Sequence, residues 1–483
     1  MTSFLVSLAV LVGGYFVYGA VVERVTGINP QRAVPADTMR DGIDYVPLPV
    51  WRVFLIQFLN IAGLGPIFGA IMGIMFGPAA FLWIVLGTIF AGAVHDFVSA
   101  MMSLRAGGAS LPELVGRELG SGIKQLMRVF SLVLLVLVGA VFVLTPAGLI
   151  ASMTPQALGT GFWIGAIFLY YVLATLLPVD KVIARIYPVF GFALLFMAVG
   201  LLGVLLFGGA DIPADWSGGL SSRYAGGSKP VFPMMFVSIA CGAISGFHAT
   251  QSPMMARCLR NERLARPVFY GAMVAEGLVA LIWAAAAITF TGGYDGLQSY
   301  MADHSGGAGA LVHDISISWL GAAGGILAIL GVVAAPITTG DTALRSARLI
   351  AADFLHVDQR PVSRRLMVSL PIFAATAGVM MIDFNVLWRY FAWSNQTLAV
   401  FTLWAASAWL YRRGRAYVLT MLPAMFMTVV CVSYILYAPS PEGFGLGRTM
   451  AAACALAVTA AVTAAFARMV RGERSLYSEI DEV

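Results

Sequence analysis

The sequence predicts an all-α polytopic membrane protein with about 13 transmembrane helices: a 5+5 inverted repeat around two broken helices, plus extra helices. Its composition, its cation distribution and two interrupted apolar segments support this prediction. Of its 483 residues 60% are hydrophobic and 11% are charged, whereas soluble domains carry about 25% charged residues. The net charge of +5 indicates no nucleic-acid partner, because the cations lie at the ends of apolar segments. The expected partner is the lipid bilayer.

A membrane-spanning helix needs about 20 mainly apolar residues. Thirteen segments meet this requirement: residues 3–22, 51–77, 79–104, 129–152, 161–177, 187–208, 231–256, 268–290, 314–337, 366–382, 384–410, 416–437 and 449–467. The N-terminal segment is kept as a helix because it lacks the basic start of a signal peptide.

The distribution of Lys and Arg supports this count. Of the 29 cations, 25 fall in one alternating set of loops, and the other set holds only Arg223, Lys229, Arg389 and Arg448. Since cytoplasmic loops carry the excess of cations, we expect the N-terminus outside and the C-terminus in the cytoplasm. The predicted units are an extra helix and cytoplasmic loop (1–50), the first repeat (51–208), an extracytoplasmic loop (209–230), the second repeat (231–411), and two extra helices with a cytoplasmic tail (412–483).

Two of the apolar segments contain residues that interrupt helices. The second carries Gly63, Gly65 and Pro66, although Gly costs about 1 kcal/mol and Pro about 3 kcal/mol in a helix interior. The seventh reads C-G-A-I-S-G-F-H-A-T-Q-S-P at 241–253. They lie five helices apart and enter the membrane from opposite sides, which is the layout of an inverted-repeat transporter. The alternative is that Gly and Pro here only permit close packing and kinks.

The interrupted segments supply the predicted substrate site, because unwound backbone offers N–H and C=O groups to a solute at membrane depth. His248 either contacts a carboxylate, carries a proton, or satisfies a freed carbonyl. The adjacent amides Asn395 and Gln396 either gate the pathway or cross-link helices. The candidate substrate-binding residues are Asn60, Ala62, Gly63, Gly65, Pro66, Ser245, Gly246, His248, Gln251, Asn395 and Gln396.

Polar groups inside the spans supply the predicted coupling site, since ionisable residues at membrane depth are functional candidates. The candidates are His95, Asp96, Glu276, Thr338, Thr339 and Asp341. They would bind H⁺ or, through hydroxyls and carbonyls, Na⁺. The alternative is a structural ion-pair network, in which Asp341 pairs with Arg345 four residues away. We expect no cofactor, no metal and no catalytic residue, and the four cysteines show neither disulfide nor metal-site spacing.

Four motifs resemble the carbon starvation protein family of CstA-type transporters. They are N-I-A-G-L-G-P-I-F-G at 60–69, A-G-A-V-H-D-F with R-A-G-G-A-S-L-P-E-L at 91–114, T-T-G-D-T-A-L-R-S-A-R at 338–348, and W-S-N-Q-T-L-A at 393–399. The resemblance implies a LeuT/APC-like broken-helix fold in a bacterial cytoplasmic (inner) membrane, and uptake of peptides or pyruvate during nutrient starvation. The chain resembles a short form, since many relatives carry further C-terminal spans, and it has His95 before Asp96 where a neutral amide is expected.

The expected function is therefore import of a small organic anion, with pyruvate preferred, by proton-coupled symport. The alternative is uptake of a peptide or amino acid coupled to H⁺ or Na⁺. A simple anion is favoured because the break segments contain no acid to pair with an ammonium group. A channel or a membrane sensor is a less favoured reading, because neither a filter nor a soluble output domain is evident. An enzyme is not expected, since A-I-S-G at 243–246 lacks the first Gly of the G-x-S-G motif of intramembrane serine proteases. The oligomeric state stays open.

Overall fold

The computed structural model describes residues 1–42, 44–155, 157–174, 183–209, 211–213, 216–304, 307–359 and 361–481. Within these ranges the chain forms helices and connecting segments without β-strands. The α-helices are α1 (Thr2–Thr26), α2 (Pro35–Thr38), α3 (Val50–Ile61), α4 (Ala70–Ile74), α5 (Ala79–Gly87), α6 (Ala93–Arg105), α7 (Leu111–Leu119), α8 (Ser121–Met153), α9 (Thr160–Ala174) and α10 (Ile183–Phe207).

The second half of the chain continues with α11 (Phe236–Ser238), α12 (His248–Ala256), α13 (Gly271–Phe290), α14 (Tyr294–Asp303), α15 (Gly307–Ala328), α16 (Ala334–Leu355), α17 (Val362–Val379), α18 (Phe384–Tyr411), α19 (Val418–Tyr437) and α20 (Arg448–Asp481). Short π-helical segments at Gly65–Gly69, Thr88–Gly92, Val231–Met235, Arg266–Tyr270 and Ile329–Val333 join several of them.

Eight helical stretches of the described chain are long and apolar enough to cross a membrane, and a ninth is a bent pair. This confirms a multi-pass helical membrane protein. The predicted count of thirteen stays a prediction, because α9, α17, α18 and the broken seventh segment do not meet the same criterion of length and hydropathy. The end of the predicted span 161–177, beyond residue 174, lies outside the described residues.

The first predicted break is present in the structure. Helix α3 ends at Ile61, residues 62–64 are non-helical, and a π-helical turn over Gly65–Gly69 leads into α4. The two arms, Val50–Ile61 and Gly65–Ile74, are bent by 53° relative to each other. Pro66 sits in the first turn of the second arm, where its missing N–H costs least.

The second predicted break is also present, and it packs against the first. Helix α11 ends at Ser238, residues 239–247 are non-helical, and α12 starts at His248. A Cβ atom at Gly65 would overlap Cys241, and one at Gly69 would lie 2.9 Å from Ser238 O. Glycine at position 65 is therefore required by the close approach of the two interrupted segments.

The predicted ninth span, 314–337, is misplaced. The structure has α15, with Gly321 at φ +62°, and then α16, which runs on to Leu355. The helix that carries the T-T-G-D motif continues past residue 337, and Arg345 and Arg348, which hydropathy assigns to a loop, are buried in it, with 1% and 2% of their surface exposed. Arg345 donates to Ala174 O at 2.9 Å. The T-T-G-D motif thus lies inside a long buried helix.

The close contact between the two breaks predicts that a single methyl group added at Gly65 lowers the stability of the protein. Gly65→Ala should lower the thermal midpoint of the detergent-solubilised protein, because overpacking costs about 1–3 kcal/mol. Gly148→Ala is the control, since a methyl group at Gly148 would have no neighbouring atom within 4 Å; alanine there should be neutral or stabilising. Adding Cys241→Gly to Gly65→Ala should restore part of the loss. Equal midpoints for Gly65→Ala and Gly148→Ala would contradict the contact.

Candidate substrate and ion-coupling site

Four titratable side chains form a continuous buried chain at the second break. His95 Nδ1 lies 2.8 Å from Asp96 Oδ1, and His248 Nδ1 lies 2.9 Å from Asp96 Oδ2. On the other side of the imidazole, His248 Nε2 lies 3.5 Å from Glu276 Oε2. All four residues have 0% exposed surface. The order His95–Asp96–His248–Glu276 links α6, the first residue of α12, and α13.

At the Glu276 end of this row of side chains, some polar atoms lack hydrogen-bond partners among the described residues. They are His248 Nε2 and both carboxyl oxygens of Glu276. The separation of 3.5 Å permits an ion pair but exceeds a normal N–H···O hydrogen bond. A buried charge without a partner is costly, and these unpartnered atoms are positions where a proton or a ligand group could bind.

The arrangement is a chain and not a metal cage. Both oxygens of Asp96 are already taken by different imidazoles. Among the residues that the structure describes, no group of three or more His, Cys, Asp or Glu could hold a metal ion. Proton binding is the chemistry that imidazole and carboxylate groups in this order can perform.

Asn395 satisfies the backbone that the second break frees. Its Oδ1 accepts from Phe247 N at 2.7 Å and from Ser245 Oγ at 2.9 Å, and its carbonyl accepts from Gly246 N at 3.0 Å. A Cβ atom at Gly246 would overlap Asn395 O and Ala399 N, so the close approach needs glycine. Of the two roles considered for Asn395, these contacts match the cross-link.

The other two amides near the second break reach neighbouring elements. Gln396 Nε2 donates to Phe236 O at 2.6 Å, which ties α18 to the arm before the break. Gln251 Nε2 donates to Thr250 Oγ1 at 3.0 Å and lies 3.5 Å from Ser346 Oγ on α16. Gln251 Oε1 has no partner among the described residues. Gln251 therefore offers an acceptor where α12 faces α16.

The first break packs against α16 through Thr339, one of the two predicted threonines, and through Thr342. Thr339 Oγ1 donates to Leu59 O at 3.2 Å, a carbonyl in the last turn before the break. A Cβ atom at Gly63 would lie 3.3 Å from Thr339 Oγ1. Thr342 Oγ1 lies 3.4 Å from Asn60 Oδ1. Thr339 Oγ1 also lies 2.9 Å from Ala335 O in its own helix, and Thr338 Oγ1 donates to the same carbonyl at 2.7 Å.

Ala62 and Pro66 contribute backbone to the first break. Ala62 N donates to Phe58 O at 2.7 Å, which is the last bond of that arm. Pro66 faces the second break, since a Cβ atom at Gly242 would lie 3.6 Å from Pro66 Cα. The two interrupted segments therefore approach each other at Gly65, Pro66 and Gly242.

Asp341 accepts a hydrogen bond from a residue that the sequence did not single out. Tyr187 OH donates to Asp341 Oδ2 at 2.6 Å, and both residues are at most 1% exposed. Asp341 lies one helical turn before Arg345 on α16, as expected from their spacing. The carboxylate is thus fixed between α10 and α16, beside the first break's contacts with Thr339 and Thr342.

Gln57 is a further polar residue at this depth that sequence reasoning missed. It is fully buried on α3, and neither of its amide atoms has a partner among the described residues. It lies three residues before Asn60, whose Nδ2 also lacks a partner there, so the two amides lie near one side of the helix. The two amide residues in I-Q-F-L-N at 56–60, within an apolar segment, are the sequence feature that could have indicated this.

Comparison with known proteins identifies several bacterial relatives, one of which matches most of the chain. A 27% identical protein of Bacillus subtilis (strain 168), named Peptide transporter CstA, is matched over 90% of both chains. The Pyruvate/proton symporter BtsT of Escherichia coli (strain K12) is 28% identical over 54% of this chain and 45% of its own length. An uncharacterized membrane protein of Haemophilus influenzae is 44% identical over 60% of this chain and 91% of its own length.

Among solved structures, a manganese transporter of Eremococcus coleocola has a similar fold. The match covers 89% of this chain and 98% of that chain, with a TM-score of 0.53 and 13% sequence identity. At this identity the likeness concerns the fold alone.

The family model described as Carbon starvation protein CstA matches residues 1–164, 152–319 and 302–434. These ranges include both breaks and every predicted site residue. The chain therefore belongs to the carbon starvation protein CstA family.

Proposed function

We propose that this protein is a secondary transporter that imports a small organic anion, with pyruvate preferred, by proton symport. Transport as such is supported by the relatives, which are named as peptide transporters and a pyruvate/proton symporter. The proton as coupling ion is supported by the name of the symporter and by the buried chain His95–Asp96–His248–Glu276. The role of this protein in nutrient starvation is part of the same proposal.

The observation that carries the proposal is the position of His248. It is the first residue of α12 and joins the second break to Asp96 on α6 and Glu276 on α13. An imidazole between two carboxylates can hold one proton more or one proton fewer with little rearrangement. Because His248 follows the freed backbone of residues 239–247, a solute bound at the break would sense its charge.

The proposed cycle uses that charge for coupling. A proton from outside binds between His248 Nε2 and Glu276 Oε2, and the positive charge that it adds favours an anion at the adjacent break. Moving two opposite charges together through the membrane costs less free energy than moving either charge alone. Release of the anion on the other side then releases the proton.

A peptide or amino acid remains the second candidate, and one observation favours it. The break segments contain no acid, but folding brings Asp96 and Glu276 beside the second break. Both oxygens of Asp96 already accept from imidazoles, whereas the oxygens of Glu276 lack donors among the described residues. Glu276 is therefore the group that an ammonium ion would use. Sodium coupling would instead involve the hydroxyls of Thr338 and Thr339.

We also propose the architecture and orientation that this mechanism requires. Thirteen spans would comprise one leading helix, two inverted repeats of five (51–208 and 231–411) and two further helices, in a LeuT/APC-like arrangement. The packing of two interrupted helices against each other supports this reading, and so does the fold shared with another transporter. The N-terminus would lie outside and the C-terminus in the cytoplasm of a bacterial inner membrane.

The proton chain predicts a specific defect in His248→Gln. Proteoliposomes with this variant should lose pyruvate accumulation driven by a pH gradient, yet keep exchange of labelled for unlabelled pyruvate, because exchange needs no net proton movement. His313→Gln is the matched control, since His313 also contacts a carboxylate, Asp314 at 3.3 Å, but is 37% exposed. Accumulation by His248→Gln at the level of His313→Gln would contradict the role of the chain.

Asp341 provides a separate test of coupling at the first break. Asp341→Asn should abolish concentrative uptake but spare folding, because the amide oxygen can still accept from Tyr187. Asp295→Asn, at an exposed position in the first turn of α14, is the control. Uptake and thermal unfolding are measured on the same preparations. Normal accumulation by Asp341→Asn would remove Asp341 from the mechanism and leave His248 and its partners as the coupling site.

A further inference from the structure

A cavity of about 430 Å³ lies above the crossing point of the two broken helices. Its floor is formed by the outer arms of both breaks, through Met72 and Met75 on one side and Met234 and Val237 on the other. Residues from α14, α18, α19 and the loop before Pro230 complete the lining. By the predicted topology this cavity opens to the face that carries few cations.

Three charged side chains line the cavity. Arg389 and Glu442 form an ion pair with each other, so their charges largely cancel. Lys229 is held over the Tyr224 ring, with Nζ 4.5 Å from the ring centroid and 3.5 Å from the phenol oxygen. Neither contact neutralises the ammonium charge. Among the described residues, the lining therefore carries one uncompensated positive charge, placed beside apolar walls.

The sign of this charge is opposite to that of its surroundings. The same face carries Asp211, Asp295, Asp303 and Asp383, and these four acids lie outside the cavity lining. The same face carries four cationic side chains, and two of them, Lys229 and Arg389, line the cavity. A concave site that carries a net charge, and whose walls have a low dielectric constant, concentrates ions of the opposite sign.

We propose that this cavity is an outer binding site for small monocarboxylates, in which Lys229 attracts the carboxylate before it reaches the breaks. The inference rests on the proposed function and specifies its substrate class. The methionine walls suit the short apolar body of such an anion. A zwitterion gains less here, because it carries no net charge for the net positive charge of the lining to attract.

The test compares charge variants in initial-rate uptake of labelled pyruvate. Lys229→Gln should raise KM about tenfold at low ionic strength, within the range that charge focusing gives to association rates, and leave the maximal rate unchanged. Lys229→Arg should restore the KM of the wild type. Added salt should raise the KM of the wild type and leave that of Lys229→Gln nearly unchanged, because salt screens exposed charges.

Two controls separate this site from general surface charge. Arg448→Gln removes a cation of the same face outside the cavity lining and should leave KM unchanged. Asp295→Asn removes an acid of the same face outside the cavity lining and should also leave KM near the wild type. An unchanged KM in Lys229→Gln, or an equal rise in Arg448→Gln, would overturn the proposal.

Equilibrium binding distinguishes failure of this site from failure of proton symport. Labelled pyruvate is titrated onto the detergent-solubilised protein, where no gradient exists. Pyruvate binding that weakens in Lys229→Gln supports the outer site even when the wild type does not accumulate pyruvate in vesicles. Binding that is absent in the wild type, or equal in the wild type and Lys229→Gln, would overturn the outer site whatever the transport result.

Discussion

The need to satisfy the backbone of two interrupted helices determines the centre of this protein. In a bilayer each unpaired N–H or C=O group costs several kcal/mol, and the breaks at residues 62–64 and 239–247 free several of them. The structure meets this need through Asn395, which accepts from Gly246 N and Phe247 N at the second break, and through Thr339, which donates to Leu59 O before the first break. The two breaks also pack on each other at Gly65, which defines their crossing point.

The same crossing point explains why polar groups gather there. Helix α12 restarts at His248 only because the chain is interrupted before it, and this places the imidazole between α6 and α13, next to Asp96 and Glu276. On the other side, α16 brings Thr339 to the Leu59 carbonyl near the first break. The proposed substrate contacts and proton contacts would therefore share one set of backbone constraints, which is what coupling of two solutes requires.

The sequence predicted those parts of the site whose residues are unusual within an apolar segment. Gly and Pro at 63–66, Gly246, and ionisable residues such as Asp96 and Glu276 stand out in apolar segments, and the structure buries all of them together. The end of the ninth span was wrong because hydropathy treats a buried Arg345 as a loop residue, although its charge is accommodated by the fold. Tyr187 was missed because its partner Asp341 lies 154 positions away.

Proton movement coupled to pyruvate movement is the central claim. The direct measurement uses proteoliposomes loaded with a pH-sensitive dye, with the membrane potential clamped, no sodium and an inward pH gradient, while labelled pyruvate is followed in parallel. Proton symport predicts that pyruvate accumulates above equilibrium, that the interior acidifies faster when pyruvate is added, and that a protonophore abolishes accumulation. Pyruvate-independent acidification, or pyruvate transport without proton movement, would contradict it.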